Sequence, residues 1–209
     1  MTAKKTRQTA SAGVVEHANR AVIVTVAPDG SILDRRTIVL TPPDLPTHPH
    51  HHEGSWAVGR YLGTPGAHVL PMSEVVALVE RVREAAEKGA EQGLEALARD
   101  VPTPIGSIAL RSSPPLPATT EERIADSRAQ TFADSVMYRQ AIAAAAEARG
   151  WMVEWYERDE VFEHAAAALG CEDIGPLLAA MGKVAGPPWQ ADHRLAAAAA
   201  ITAIGRGVR

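Results

Sequence analysis

The stretch Ala21-Val22-Ile23-Val24-Thr25-Val26-Ala27-Pro28-Asp29-Gly30-Ser31-Ile32-Leu33-Asp34-Arg35-Arg36-Thr37-Ile38-Val39-Leu40 decides the fold. Two runs rich in β-branched residues flank an Asp-Gly turn, the pattern of a β-hairpin. The first run is apolar at nearly every position, as expected of a strand covered on both faces, so it is predicted to lie inside a sheet. Upstream, Met1 to Gly13 is small, polar and basic with no periodicity, and reads as a mobile tail. Glu16-His17 then reads as an exposed turn ahead of the first strand.

Downstream, Thr41 to Gly54 carries Pro42, Pro43, Pro46 and Pro49 among His48, His50, His51 and His52. Proline withholds backbone donors, so this segment is expected to be a mobile surface loop, dispensable for folding. Ser55 to Gly63 reads as a third short strand. Val75, Val79, Val82 and Ala86 recur at helical spacing between Ser73 and Asp100, with breaks expected at Gly89 and Gly93. Ile105 to Leu110 follows as a strand. Thr119 and Glu122 have capping-box spacing, opening a kinked helical region that stops at Gly150. Trp151 to Tyr156 is a further strand, and helices are expected at Val161 to Leu169, Ile174 to Met181 and Asp192 to Ile204.

With 209 residues, 46% hydrophobic and 22% charged, the chain is long and apolar enough for one ordinary domain. No apolar run approaches the roughly 20 residues that cross a bilayer, and the basic start lacks a secretory apolar core, so a cytoplasmic protein without a membrane partner is expected. Cys171 is the single cysteine, which excludes an internal disulfide framework. The net charge of −4 argues against strong non-specific nucleic-acid binding while allowing a local basic patch.

The order hairpin, strand, helix, strand, helix, strand, then helices implies an α/β chain: a mixed sheet with an antiparallel hairpin start and βαβ crossovers, covered by helices. The Val22 to Leu40 hairpin, the Tyr138 to Tyr156 helix-strand unit and Gly186-Pro187-Pro188-Trp189-Gln190-Ala191-Asp192-His193-Arg194-Leu195-Ala196 carry a resemblance. The chain resembles the ribonuclease H-like superfamily, in particular its RuvC-type Holliday-junction resolvases. The resemblance implies one such domain over residues 14–205, after a tail over 1–13 and with the Pro/His-rich loop at 41–54. It also implies carboxylates on the first strand, at the end of the fourth and at the start of the last helix, holding paired divalent ions for phosphodiester cleavage. On the strands as read here, the first position falls at Val24-Thr25 and the second at Leu110-Arg111-Ser112, neither acidic; Asp192 alone matches. Two doubly charged ions about 4 Å apart repel by roughly 16 kcal/mol at an effective dielectric near 20. One aspartate cannot offset that, and Arg111 adds repulsion.

The candidate residues each have a plainer alternative. His48, His50, His51 and His52 are suitable ligands for zinc, nickel or copper, or belong to a solvated loop. Asp192 and His193 form an acid-base or ligand pair, or Asp192 caps the last helix. Asp126 and Asp134 lie about two turns apart and share a helix face, or merely solvate it. Arg111, Arg128 and Arg139, with Arg35, Arg36 and Arg123, form a phosphate-binding stripe if the sheet order brings them together, and scattered surface charge otherwise. The expectation is a noncatalytic ribonuclease H-like binding or assembly module with no cofactor and a nucleic-acid or protein partner. The alternative is a divergent nuclease using magnesium or manganese, with its site rebuilt around Asp192.

Overall fold

A computed structural model of the chain describes residues 9–206. Five strands form one sheet in the order β3-β2-β1-β4-β5: β1 (Ala10–His17), β2 (Arg20–Val26), β3 (Ile32–Val39), β4 (Ile105–Arg111) and β5 (Met152–Tyr156). The first three pair antiparallel, whereas β4 runs parallel to β1 and β5 parallel to β4. The helices are α1 (His52–Ala57), α2 (Met72–Asp100), α3 (Thr120–Ala125), α4 (Ser127–Ala148), α5 (Val161–Ala168), α6 (Gly175–Ala185) and α7 (Ala191–Arg206).

The expected hairpin is β2–β3, and β2 is buried from Ala21 to Val26 as its composition requires. The expected tail is corrected at its C-terminal end, since Ala10 to Val15 are buried in β1 at the middle of the sheet; residues 1–8 lie outside the described residues. Alanine, serine and glycine are weak strand formers, which hides β1 from a propensity reading. Their smallness has a packing cause: a Cβ on Gly13 would sit 1.9 Å from the Ala196 carbonyl oxygen of α7.

The third strand expected at Ser55 to Gly63 is also corrected. That segment holds the end of α1 and a run of turns, and helical bonding already begins where His52 N–H donates to His48 O at 2.8 Å. Nor does α2 break at its glycines. Gly89 and Gly93 are where it crosses closest to the sheet edge, a Cβ there meeting Leu40 O at 2.2 Å and Ile38 Cβ at 2.9 Å.

Strand alternation divides the core into two layers. On one face Ala10, Ala12, Val14, Ala21 and Ile23 pack against α2 and α4. On the other, Val15, Val24, Val26 and Ala109 pack against α5, α6 and the alanine run Ala196–Ala200 of α7. The crossover β4-α4-β5 thus lies on one face and α7 closes the other.

Candidate functional site

The end of β1 meets the start of α7 and the middle of α4. Because successive strand residues point to opposite faces, Glu16 turns toward α4 and His17 toward α7. Each meets a polar partner from a helix. Arg139 Nε lies 3.0 Å from Glu16 Oε1, with the side chains only 4% and 8% exposed. His17 Nε2 lies 2.9 Å from Asp192 Oδ2 in a half-exposed pair.

Arg139 is held from several sides. Its Nη1 donates to the carbonyls of Arg111 and Ser112 at 3.2 and 2.8 Å, and its Nε to Ser135 O at 3.2 Å. The guanidinium therefore ties α4 to the exit of β4 while neutralising Glu16. Tyr156, at the end of β5, donates its hydroxyl to Val14 O at 3.0 Å, and burial pushes its pKa well up, so the phenol stays protonated. Around these groups lies a cavity of about 220 Å³ whose wall includes Glu16, His17, Asp192, Arg111 and Arg158. Arg158 and Asp192 continue into a second cavity of about 360 Å³ beside Phe162. Among the described residues neither the Arg111 nor the Arg158 guanidinium has a hydrogen-bond or ion-pair partner.

Several expectations are corrected by these contacts. Asp192 and His193 engage different partners, because adjacent helix residues diverge. Asp192 lies inside the first turn of α7 with its carboxylate on His17, so it does not sit at the capping position expected. His193 turns back instead: its Nδ1 accepts from Gln190 N–H at 3.1 Å and its ring stacks on Trp189. Burial, then Arg35, pushes its pKa down.

The arginines do not form one stripe. Arg111 lines the cavity and Arg139 is sequestered beneath it, while Arg128 borders a separate cavity against Pro114 to Pro117. Arg35 holds the carbonyls of Gly186 and Pro188, Arg36 pairs with Asp34 and Asp100, and Arg123 donates to Pro117 O. Asp126 caps α4 by accepting from Arg128 and Ala129 N–H, whereas Asp134 is buried and faces the histidine segment, so the two acids share no site.

The histidine segment is packed, contrary to the mobile loop expected. Asp134 Oδ1 accepts from His50 N–H at 3.0 Å and pairs with His50 Nδ1 at 2.9 Å, and Asp134 Oδ2 accepts from His51 N–H at 3.1 Å. His50 is 1% exposed. His48 and His52 have ring centroids 5.3 Å apart, yet no group of three or more His, Cys, Asp or Glu side chains is arranged to hold a metal among the described residues.

Among solved structures the chain is similar to RuvC of T. thermophilus in complex with Holliday junction substrate, at a TM-score of 0.50 and 14% identity, covering 96% of each chain. The fold is ribonuclease H-like. A second Thermus thermophilus RuvC structure aligns at a TM-score of 0.46 and 14% identity over 95% of this chain and 96% of that one. No protein-family model and no curated protein matches the sequence.

The strand order also changes the place of Glu16. The first strand is β1, not Val22 to Val26, and Glu16 lies near its end, buried against Arg139, where an exposed turn is expected. The fourth strand ends in Arg111, one residue beyond the expected Leu110, and the last helix opens beside Asp192. No helix among the described residues is long and apolar enough to cross a membrane.

Proposed function

We propose that this chain is a noncatalytic ribonuclease H-like module, one domain from β1 to α7, that binds nucleic acid at the end of β1 without cutting it. The observation carrying this reading is the buried Arg139–Glu16 pair. A carboxylate already matched by a guanidinium at 3.0 Å has its charge neutralised, so a divalent ion would have to displace a buried cation held by two carbonyls. Arg111 occupies the fourth-strand position where an acid is required, and Arg158 adds another positive charge. These residues do not fit a pair of divalent ions.

They do fit phosphate. Among the described residues the Arg111 and Arg158 guanidinium groups make no hydrogen bond or ion pair, both border a common cavity, and a guanidinium presents paired donors to phosphate oxygens. Glu157, Asp159 and Glu160 flank Arg158, and the whole chain carries −4, so the contact is confined to few phosphates. Two neutralised phosphates correspond to a slope of log K against log salt of about −1.4 to −1.8, between the single-stranded and duplex cases.

A second reading has its own support: Glu16 and Asp192 bring two carboxylates to one cavity, the start of a magnesium or manganese site for a divergent nuclease. One experiment separates the two. Four-way junction, duplex and RNA–DNA hybrid are incubated with the full chain in magnesium and in manganese, with binding measured at several salt concentrations. Binding with the shallow slope, weakened in Arg111→Gln and Arg158→Gln and without cleavage, is the expected result. Cleavage that disappears in Asp192→Asn and Glu16→Gln would establish the nuclease instead, and absence of binding in every salt condition would defeat the nucleic-acid reading.

A further inference from the structure

Another cavity, away from the Glu16 cluster, lies among α2, α3 and α4, with a volume of about 240 Å³. Its wall includes His50, Glu80, Arg83, Thr120, Arg123 and Gln140. His50 is the unusual member. Its side chain is 1% exposed, its Nδ1 is engaged by Asp134 at 2.9 Å, and its Nε2 has no hydrogen-bond partner among the described residues. Leaving a buried imidazole nitrogen unpaired has a cost, and such groups are ordinarily satisfied by protein, water or ligand.

The neighbours indicate what would satisfy it. Asp134 also accepts two backbone N–H groups, from His50 and His51, so this carboxylate fixes both the position of the segment and the orientation of the ring. With Nδ1–H committed to Asp134, Nε2 is an acceptor in the neutral ring and a donor in the imidazolium. Arg123 uses Nε and Nη2 on the carbonyls of Pro117 and Ala118, leaving Nη1 available. Arg83 is held in place by Glu80 and Glu87 on its own helix. The charged groups around the cavity are thus Arg83 and Arg123 against Glu80 and Glu87, with Asp134 behind the His50 ring. Thr120 and Gln140 supply neutral donors.

We propose that this cavity is a binding site for a small tetrahedral oxyanion, a phosphate group, held by Arg123 and Arg83 with His50 as the buried recognition residue. The volume corresponds to roughly eight waters at about 30 Å³ each, enough for a phosphate and a small substituent and below the usual range for larger ligands. Free phosphate and the phosphoryl end of a nucleotide share this chemistry. The site is independent of the nucleic-acid reading, because Arg111 and Arg158 lie in another cavity.

The full chain is titrated with inorganic phosphate and, separately, with adenosine monophosphate, following heat and the imidazole nitrogen resonances of His50. The expected result is saturable binding that moves the His50 Nε2 signal and weakens by about tenfold or more, 1.4 kcal/mol, in Arg123→Gln and in Arg83→Gln. Adenosine monophosphate binding more tightly than phosphate assigns the nucleotide as source; equal affinities assign the free ion. His50→Asn, which retains a donor near Asp134 while removing Nε2, also weakens binding. Arg83→Gln lies on an exposed helix surface and keeps the test valid if His50→Asn fails to fold. Absence of saturation at about 50 mM phosphate, far above any useful affinity, overturns the proposal. So does binding that survives Arg123→Gln and Arg83→Gln but is lost in Arg111→Gln, which would assign the anion to the other cavity.

Discussion

Arg139 and Glu16 form a buried ion pair at the end of β1, and their burial makes the coupling between them measurable. Removing one partner from a buried ion pair leaves the other uncompensated, which costs about 3–5 kcal/mol, while replacing both with apolar groups of similar volume is often near neutral. Arg139→Met is therefore expected to destabilise the chain strongly, and Glu16→Leu combined with Arg139→Met to recover most of the loss; denaturant unfolding of the two single variants and the double variant measures the coupling. His193 gives a second expectation, with a definite sign. Burial lowers its folded-state pKa below the unfolded value, and its Nδ1 must stay unprotonated to accept from Gln190. The unfolded chain thus takes up the proton first, so this contribution to stability is present above about pH 6.5 and falls as pH drops through the folded pKa. Melting temperatures of the wild type and His193→Asn at pH 7.5 and 5 should show a smaller acid loss in the variant; equal losses would contradict the assignment.

The elements that were legible in the sequence are those whose local chemistry suffices to define them. Thr119 Oγ1 accepts from Glu122 N–H at 3.2 Å and Glu122 Oε2 from Thr119 N–H at 3.1 Å, the reciprocal box that its spacing implies. Gly150, at φ +75, stops α4 as expected. Elements defined by their neighbours were hidden: β1 is small because α7 lies against it, and α2 keeps its glycines because β3 does. With β1 hidden, β2 stands as the first strand, and the strand position that the resemblance points to falls at Val24-Thr25 and not near Glu16 at the end of β1. His50 likewise has no partner visible in the sequence, because Asp134 is 84 residues away. Loss of the Thr119 hydroxyl should lower stability by about 1 kcal/mol, and Thr119→Ser should restore it, as measured by urea unfolding. At the next cap, hydrogen bonds from Ala129 and Arg128 N–H hold the Asp126 carboxyl below its usual pKa. Its stabilisation is present above the unfolded value near 3.9 and lost as pH falls through the lower folded one, a loss that Asp126→Asn should not display between pH 5 and 2.

At the scale of the whole molecule, the candidate cluster depends on how closely α7 approaches the sheet, because His17 and Asp192 are 175 residues apart and meet only through that packing. The approach is set by small residues on both sides: Ser11 and Gly13 on β1, and the fully buried Ala196 to Ala200 on α7. A methyl group at residue 13 would overlap backbone on both sides of a helical turn, meeting Ala196 O at 1.9 Å and Ala200 N at 2.6 Å, and backbone cannot rotate aside as a side chain can. The helix has to move away, loosening the layer of Val15, Val24 and Ile201 and drawing Asp192 from His17. Overpacking of this kind costs about 1–3 kcal/mol or more, and a backbone obstruction belongs at the upper end. For a chain of this size a loss of about 3 kcal/mol lowers the melting temperature by about 6–12 °C. Gly30 supplies the internal comparison, since its φ of +86 strains any side chain but no heavy atom lies within 4 Å of an added Cβ. Gly30→Ala should therefore cost about 1–2 kcal/mol through backbone conformation alone, leaving the His17–Asp192 contact intact. Thermal unfolding together with amide exchange along α7 distinguishes the two variants: Gly13→Ala should accelerate exchange from Ala196 to Ala200, and Gly30→Ala should not. Unchanged exchange in a folded Gly13→Ala chain would mean that α7 does not bear on β1 as described.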